Sequence, residues 1–459
     1  MPMTRIELTQ VPVLKAALRS RWPQFIATAV ALGGFSFAIV AGLFGTPVGN
    51  ANFGIVFVWI AWWALLMLIA VPLLGRGWCS ICPIPMPGEW LQRGSVLGPT
   101  GKGFGLGKRW PNKLRNIWLQ NGLFTLVALF SAVVLTQPRV TAMVLLAFLF
   151  VAVGLSLIFE RRAFCRYVCP VGGFIGLYSQ LAPIEVRVKD TAVCAAHAEK
   201  TCYAGNGNGY GCPWQVFPGS LTQNTYCGAC MECLRTCTQD NVVVNLRPFG
   251  ADLAKPTARK MDEAFKAFIM LGSAVVYSAV MLGPWGALKS AAYTIGSGEW
   301  IGYALAFLAF VFGVLPGSFL LVVWIGCKLS GARQTLRRSF TAFAYTLVPL
   351  GLMAWIAFSL SFVFANASYI GPALSDPLGA GWNLLGAAGV AWSPLAMQIV
   401  PLLQVAALIG GLAWACVTAR RIASESNAGG VSRRRHLQAG PVMIFCLLVT
   451  AGLMGLLIG

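Results

Sequence analysis

Cys227-Gly-Ala-Cys230-Met-Glu-Cys233-Leu-Arg-Thr-Cys237 is a C-x2-C-x2-C-x3-C run. At that spacing three thiolates share a tight loop and can hold three irons of one cluster, while the fourth, about one helical turn on, points to a neighbouring cluster. Two clusters are therefore expected, each with four ligands. The segment from Cys194 to Cys237 holds seven of the fourteen cysteines, so one ligand has to be something else. Cys212 is followed by Pro213, as the crossing cysteine of such motifs is. It groups with Cys227, Cys230 and Cys233 around one 4Fe-4S cluster and leaves Cys194, Cys202 and Cys237 for a second. His197, in Cys194-x2-His197-x4-Cys202, stands where a fourth cysteine would be expected. Imidazole replaces thiolate in some iron-sulfur centres and raises their potential; the alternative is a three-cysteine site with water or another oxygen on the fourth iron. Zinc uses ligands in fours, usually as pairs, and would leave cysteines over. Disulfides do not persist on the reducing side of a membrane.

Around this segment the chain is apolar. Of 459 residues 57% are hydrophobic and only 10% charged, with a mean hydropathy of +0.72, which places it among integral membrane proteins. The net charge of +20 is spread over loops beside apolar stretches, where Lys and Arg orient spans and hold anionic lipid head groups. No nucleic-acid motif accompanies it, so no nucleic-acid partner is expected. No cleavable signal peptide is evident, since the basic stretch from Thr4 to Arg21 lacks an apolar core.

The expected fold is an all-α polytopic membrane protein of about nine spans with an inserted small α+β two-cluster domain of bacterial ferredoxin type. A basic arm occupies 1–23. A four-span block follows at 24–159, with spans near 24–44, 54–74, 116–136 and 140–159 and a Gly- and Pro-rich loop at 75–113. The cluster domain runs over 160–260, and a five-span block over 261–459, with spans near 264–283, 300–326, 340–364, 396–418 and 440–458. Each span is close to the roughly 20 residues a bilayer core requires. The arm, 75–113, the cluster domain, Lys328 to Arg338 and Arg420 to Arg435 carry the clustered basic residues, and the intervening loops carry almost none. By the positive-inside tendency the clusters are then cytoplasmic. In the loop 365–395, the apolar stretch from Trp382 to Trp392 is expected to lie along the interface or re-enter.

Two further motifs sit where a span ends: Arg76-Gly-Trp-Cys79-Ser-Ile-Cys82-Pro83 and Phe164-Cys165-Arg-Tyr-Val-Cys169-Pro170-Val-Gly-Gly. Each leaves two thiols on a turn, because proline cannot continue the helical hydrogen bonding. Cys79, Cys82, Cys165 and Cys169 together make a candidate third iron-sulfur site at the membrane surface; the alternative is small side chains packed in a helix turn. Cys327, Cys416 and Cys446 stand alone and are expected only to pack.

These proline-terminated motifs, followed by a ferredoxin run, resemble the polyferredoxin-type membrane subunits of periplasmic nitrate reductase, the quinol dehydrogenase membrane component, and the related proteins of nitrous oxide reduction and methylamine oxidation. The resemblance covers about 20–250. It departs in Thr238, which stands where proline is usual, in the one-residue-shorter spacing of Cys79 and Cys82, and in the five spans that follow. It implies an electron-transfer subunit of the bacterial inner membrane, of quinol dehydrogenase type. Such a subunit exchanges electrons between quinone or quinol and other subunits of a redox complex, a periplasmic one among them. A second reading is an iron-sulfur assembly or regulatory factor for maturation of a respiratory metalloenzyme.

The chain has two histidines, His197 and His436, and no histidine pair within a span, so no haem is expected. No nucleotide-binding loop follows a strand. Acidic residues are nearly missing from the spans. Glu89 and Glu160 are the acidic residues nearest the span-end thiols in sequence, and so candidates for taking up protons.

Overall fold

The computed structural model describes residues 5–98, 101–255, 259–282, 286–332, 334–426 and 432–458. Among them eight helices are long and apolar enough to cross a membrane: Trp22–Phe44, Phe53–Ile81, Pro138–Ile158, Met261–Leu282, Gly298–Ser330, Leu336–Ser375, Val400–Ser426 and Arg434–Leu457. The shortest, of 21 residues, rises about 32 Å at about 1.5 Å per residue, enough for a hydrocarbon core of about 30 Å.

The ninth expected span, near 116–136, is not a long helix. It forms Trp118–Leu129, bends at Phe130 (φ −98°, ψ 8°) and resumes as Ser131–Val134. Its first 12 residues rise only about 18 Å. They also carry Gln120, Asn121 and Thr125, all buried, so this stretch serves polar contacts inside the protein where a lipid-facing span would be apolar.

Packing divides the chain into two compact units. The first comprises 1–40, 69–123 and 142–252, and holds the cysteine motifs. Its sheet has strands β1 (Ile6–Glu7), β2 (Ile184–Val188) and β3 (Val242–Leu246), all antiparallel in the order β1-β3-β2. Side chains alternate across a strand, so the register sorts them by face. Val186 opposite Val244 and Val188 opposite Val242 form one apolar face, against which Leu234, Cys227, Cys233 and Cys237 pack. On the other face Glu185 opposes Asn245, and its carboxylate meets Arg247 at 3.1 Å. Arg247 also binds Asp252 at 2.9 Å, and the Asp252 carboxylate accepts the Asn224 amide at 2.7 Å. The fully buried Arg247 thus ties the end of the sheet to the loop just before Cys227. The arm joins this unit: β1 pairs with Leu246 and Asn245, and Lys15 and Arg19 of the helix Pro12–Arg19 bind Asp240 at 2.6 and 2.7 Å.

The second unit comprises 41–68, 124–141 and 253–459. Phe268, Phe319 and Phe340 meet with ring centroids 5.2 to 5.9 Å apart. Trp355 donates to the Met270 carbonyl at 2.9 Å, and Trp63 to Ser359 at 2.9 Å. Met261–Leu282 is the most enclosed of the spans. It buries Glu263, which accepts from the Tyr345 hydroxyl at 2.8 Å, and Lys266, whose ammonium lies 4.2 Å from the Phe124 ring centroid. The loop after Ser375 is largely exposed. There the Asp376 carboxylate accepts the Ala380 and Gly381 amides at 2.8 Å each, and Trp392 donates to the Ala365 carbonyl at 2.9 Å. Cys327, Cys416 and Cys446 lie in helices of this unit, Cys446 at 1% exposure.

Candidate iron-sulfur centres

All the motif cysteines belong to the first unit. None of the fourteen forms a disulfide.

The span-end set is built by two similar turns. Pro72 lies inside Phe53–Ile81, within a π-helical stretch at Leu65–Leu74, and Gly75 then takes a φ of +56°. The wider π turn accommodates a residue that has no amide hydrogen to give. Cys79 sits in the final helical turn, Trp78–Ile81, and Cys82 is extended (ψ 126°), the conformation favoured before proline. In the second motif Cys165 lies in a π turn, Phe164–Val168, and Cys169 caps the helix Pro170–Tyr178. The Cys169 sulfur accepts the Gly172 amide at 3.3 Å. A thiolate at a helix N-terminus is favoured by the backbone dipoles.

The sulfurs of this set sense one another. Burial pushes the Cys165 thiol well up; Arg162 opposes this, and Cys169, Cys79 and Cys82 add to it. Cys82 is raised by burial and then by Cys79 and Cys169. Burial carries Cys169 to about 11 against the pull of the Gly172 amide.

Two arginines hold the two motifs together reciprocally. Arg76, three residues before Cys79, donates to the Cys165 carbonyl at 3.1 Å; Arg162, three residues before Cys165, donates to the Cys79 carbonyl at 2.8 Å. Gln120, from the short helix, donates to the same Cys165 carbonyl at 3.1 Å. Arg162 is in turn paired with buried Glu89. Burial alone would raise the Glu89 carboxyl, but Arg162 and Arg93 hold it below the ordinary range. Glu89 is thus an ion-pair partner and a poor proton acceptor at neutral pH. Glu160 is engaged through its backbone, with Lys108 and Gln215.

The second set is Cys212, Cys227, Cys230 and Cys233. Ala229 and Met231 both adopt positive φ (47° and 62°), which turns the chain sharply enough for neighbouring thiols to face inward. Cys233 is raised well above the ordinary thiol range by burial, then by Cys227, Cys230, Cys212 and Cys202. Arginines again grip the backbone. Arg161 donates to the Cys212 carbonyl at 2.5 Å, Arg166 to the Trp214 and Gln215 carbonyls, and Arg76 to the Thr225 carbonyl. The Arg76 guanidinium lies over the Trp214 ring at 4.4 Å.

Gly228, between Cys227 and Cys230, lies under that indole: a Cβ there would come 1.9 Å from Trp214 Nε1. Trp214 is 1% exposed and has no room to retreat. Gly228→Ala is therefore expected to displace the loop and, if this set holds a cluster, to lower the iron content by that cluster's share. Iron analysis of the purified variant checks it, and a wild-type iron content would refute the packing argument.

The third set is Cys194, Cys202 and Cys237. Asn241 bridges it, donating from its side chain to the Cys194 sulfur at 3.2 Å and from its backbone to the Cys237 sulfur at 3.4 Å. Burial, with Cys237 and Cys194 nearby, carries Cys202 to about 11. His197 follows the helix Thr191–Ala196, and its Nε2 lies 3.4 Å from the hydroxyl of Thr238, the residue after Cys237.

The donor types suit iron-sulfur clusters: two sets of four thiols, and one of three thiols with His197 beside Thr238, the residue after Cys237. Among the described residues no three such side chains converge as on a single ion. A cluster does not ask for that, since its ligands bind separate irons.

Sequence reasoning treated Arg76, Arg161, Arg162 and Arg166 as loop charge. Both span-end motifs read Arg-x2-Cys, as Arg76-Gly-Trp-Cys79 and Arg162-Ala-Phe-Cys165, a repeat that singles out Arg76 and Arg162 without indicating what either one binds. Orienting groups behind the ligands are a regular part of metal sites.

A family described as a 4Fe-4S binding domain matches residues 55–112 and 141–188. The match contains Cys79, Cys82, Cys165 and Cys169 and ends before Cys194. The chain is also similar to a protein of Escherichia coli (strain K12) named "Putative electron transport protein YccM", with 29% identity over 120 residues. That alignment covers 25% of this chain and 28% of the relative. No solved structure matches the chain.

Proposed function

We propose that this chain is a membrane-bound electron-transfer subunit that carries three 4Fe-4S clusters in series, between a quinol-class carrier and a redox partner. The observation that carries the reading is the order of the thiol sets. The Arg76 guanidinium donates both to the Cys165 carbonyl and to the carbonyl of Thr225, two residues before Cys227, and the Arg162 amide donates to the Pro213 carbonyl beside Cys212, so the span-end set adjoins the second. The second adjoins the third along the Cys227–Cys237 run and through the Cys212 amide, which donates to the Tyr203 carbonyl beside Cys202. A 4Fe-4S cluster takes up and releases electrons one at a time. Around it the chain's own residues act as fixed charge. Arg76 and Arg162 stand between the first two sets, where an arriving electron adds negative charge, and in a buried site that interaction is stronger than in water. The 4Fe-4S family match over the span-end motifs and the name of the similar protein support this reading. The basic residues flanking the spans support a cytoplasmic placement of the cluster domain in a bacterial inner membrane.

Iron analysis with EPR of the dithionite-reduced protein tests the proposal. Three clusters correspond to about twelve irons per chain, and an empty span-end set to about eight. A reduced quinol analogue should reduce the wild-type clusters, and failure to do so would remove the quinol assignment. His197→Ala should alter one EPR signal and spare the others; an unchanged spectrum would remove His197 as a ligand.

A further inference from the structure

The second and third thiol sets differ in access. Cys212, Cys227, Cys230 and Cys233 line a cavity of about 20 Å³, room for about one water molecule. Cys237 lines an open cavity of about 540 Å³, together with Arg19, Arg21, Trp22 and Arg235. Three arginines line it, with Lys15 next to them on the Asp240 carboxylate that it shares with Arg19, so four cations face the two carboxylates of Asp240 and Glu232 in and beside the cavity. Glu232 is fully buried beneath them, whereas Arg19 is 43% exposed at the rim. The mouth of the cavity is therefore positive.

The guanidiniums offer field more than free donors. Arg235 spends its N–H groups on Glu232 and on the carbonyls of Leu18, Arg19, Ser20 and Cys230. Arg21 spends its own on Glu232, Leu97 and Asn208. Arg21 and Arg235 have their donors committed, which leaves a phosphate or other small anion with Arg19 alone at the rim, itself paired with Asp240, whereas an approaching acidic protein needs only the field. A lipid head group also has no use for a thiol at the floor.

We propose that this cavity is the port at which an acidic electron-carrier protein docks and exchanges single electrons with the cluster held by Cys194, Cys202 and Cys237. This rests on the cluster reading above. In the step one electron leaves that reduced cluster and enters the oxidised carrier, or the reverse, with no bond made or broken.

The test uses the full chain in nanodiscs, reduced with dithionite and freed of excess, with ferricyanide as an anionic oxidant and tris(phenanthroline)cobalt(III) as a cationic one. In the Lys15→Glu/Arg19→Glu variant the ratio of the ferricyanide rate to the cobalt rate should fall about tenfold at low salt and recover toward wild type at high salt. Arg19→Gln should fall between the two. An unchanged ratio in a variant with wild-type EPR signals would overturn the port. So would ferricyanide oxidation strongly slowed by replacing neutral lipid with cardiolipin, which would mark the cavity as a head-group site. Absence of cluster signals in the wild type would instead sink the electron-transfer reading itself.

Discussion

Cys165→Ala protein is expected to keep about two thirds of its iron, on the basis of three clusters with four ligands each. It should also lose reduction by quinol analogues while its remaining clusters still accept electrons from dithionite. Cys165 is central to the span-end set: its sulfur senses the other three, and its carbonyl is the shared target of Arg76 and Gln120. Alanine keeps the carbonyl and the backbone clamp, so the loss isolates the sulfur. Iron analysis and EPR on one sample decide the matter. A full iron content would mean that this set holds no cluster. Intact quinol reduction with one third of the iron gone would move the entry point to another set.

Arg162→Met is expected to destabilise the protein by about 3–5 kcal/mol, the range for removing one partner of a buried ion pair. Arg162 and Glu89 are each 3% exposed, so the variant strands a buried carboxylate with Arg93, 3.8 Å away, and the Tyr210 hydroxyl to compensate. It also frees the Cys79 carbonyl. Adding Glu89→Gln to Arg162→Met should recover part of the loss, because the stranded charge is then gone. Unfolding titrations of the wild type and the single and double variants measure this. A single-variant cost under about 1 kcal/mol, the range of exposed pairs, would show that the pair is hydrated.

Much of this architecture is legible along the chain because its cause is local. An apolar run of about 20 residues is set by the thickness of the bilayer, and all eight long helices begin within about six residues of a hydropathy-based start. Phe53–Ile81 begins at its expected place and runs on through the first thiol. The thiol motifs stand out along the chain for the same reason, since a turn that would present several thiols to one cluster dictates their spacing. The stretch near 116–136 escaped because its composition is apolar enough for a span, while its buried Gln120 answers a carbonyl 45 residues away. Lys266 escaped in the same way: nothing next to it in sequence announces a fully buried ammonium over an aromatic ring.

By itself the sequence determined an apolar, many-span chain whose cysteines fall into spaced sets followed by proline-directed turns, since hydropathy and ligand spacing are properties of neighbouring residues. Only the tertiary structure decided that Arg76 serves the cysteine of the other motif and Arg162 the reverse. It also decided that the amino-terminal arm adds a strand to the sheet on which Cys227, Cys233 and Cys237 pack, and that Cys237 lines an open cavity with Arg19, Arg21 and Arg235. Those outcomes depend on pairing across 83 to 240 residues of chain, where long side chains find partners by burial and charge and the spacing of residues carries no instruction.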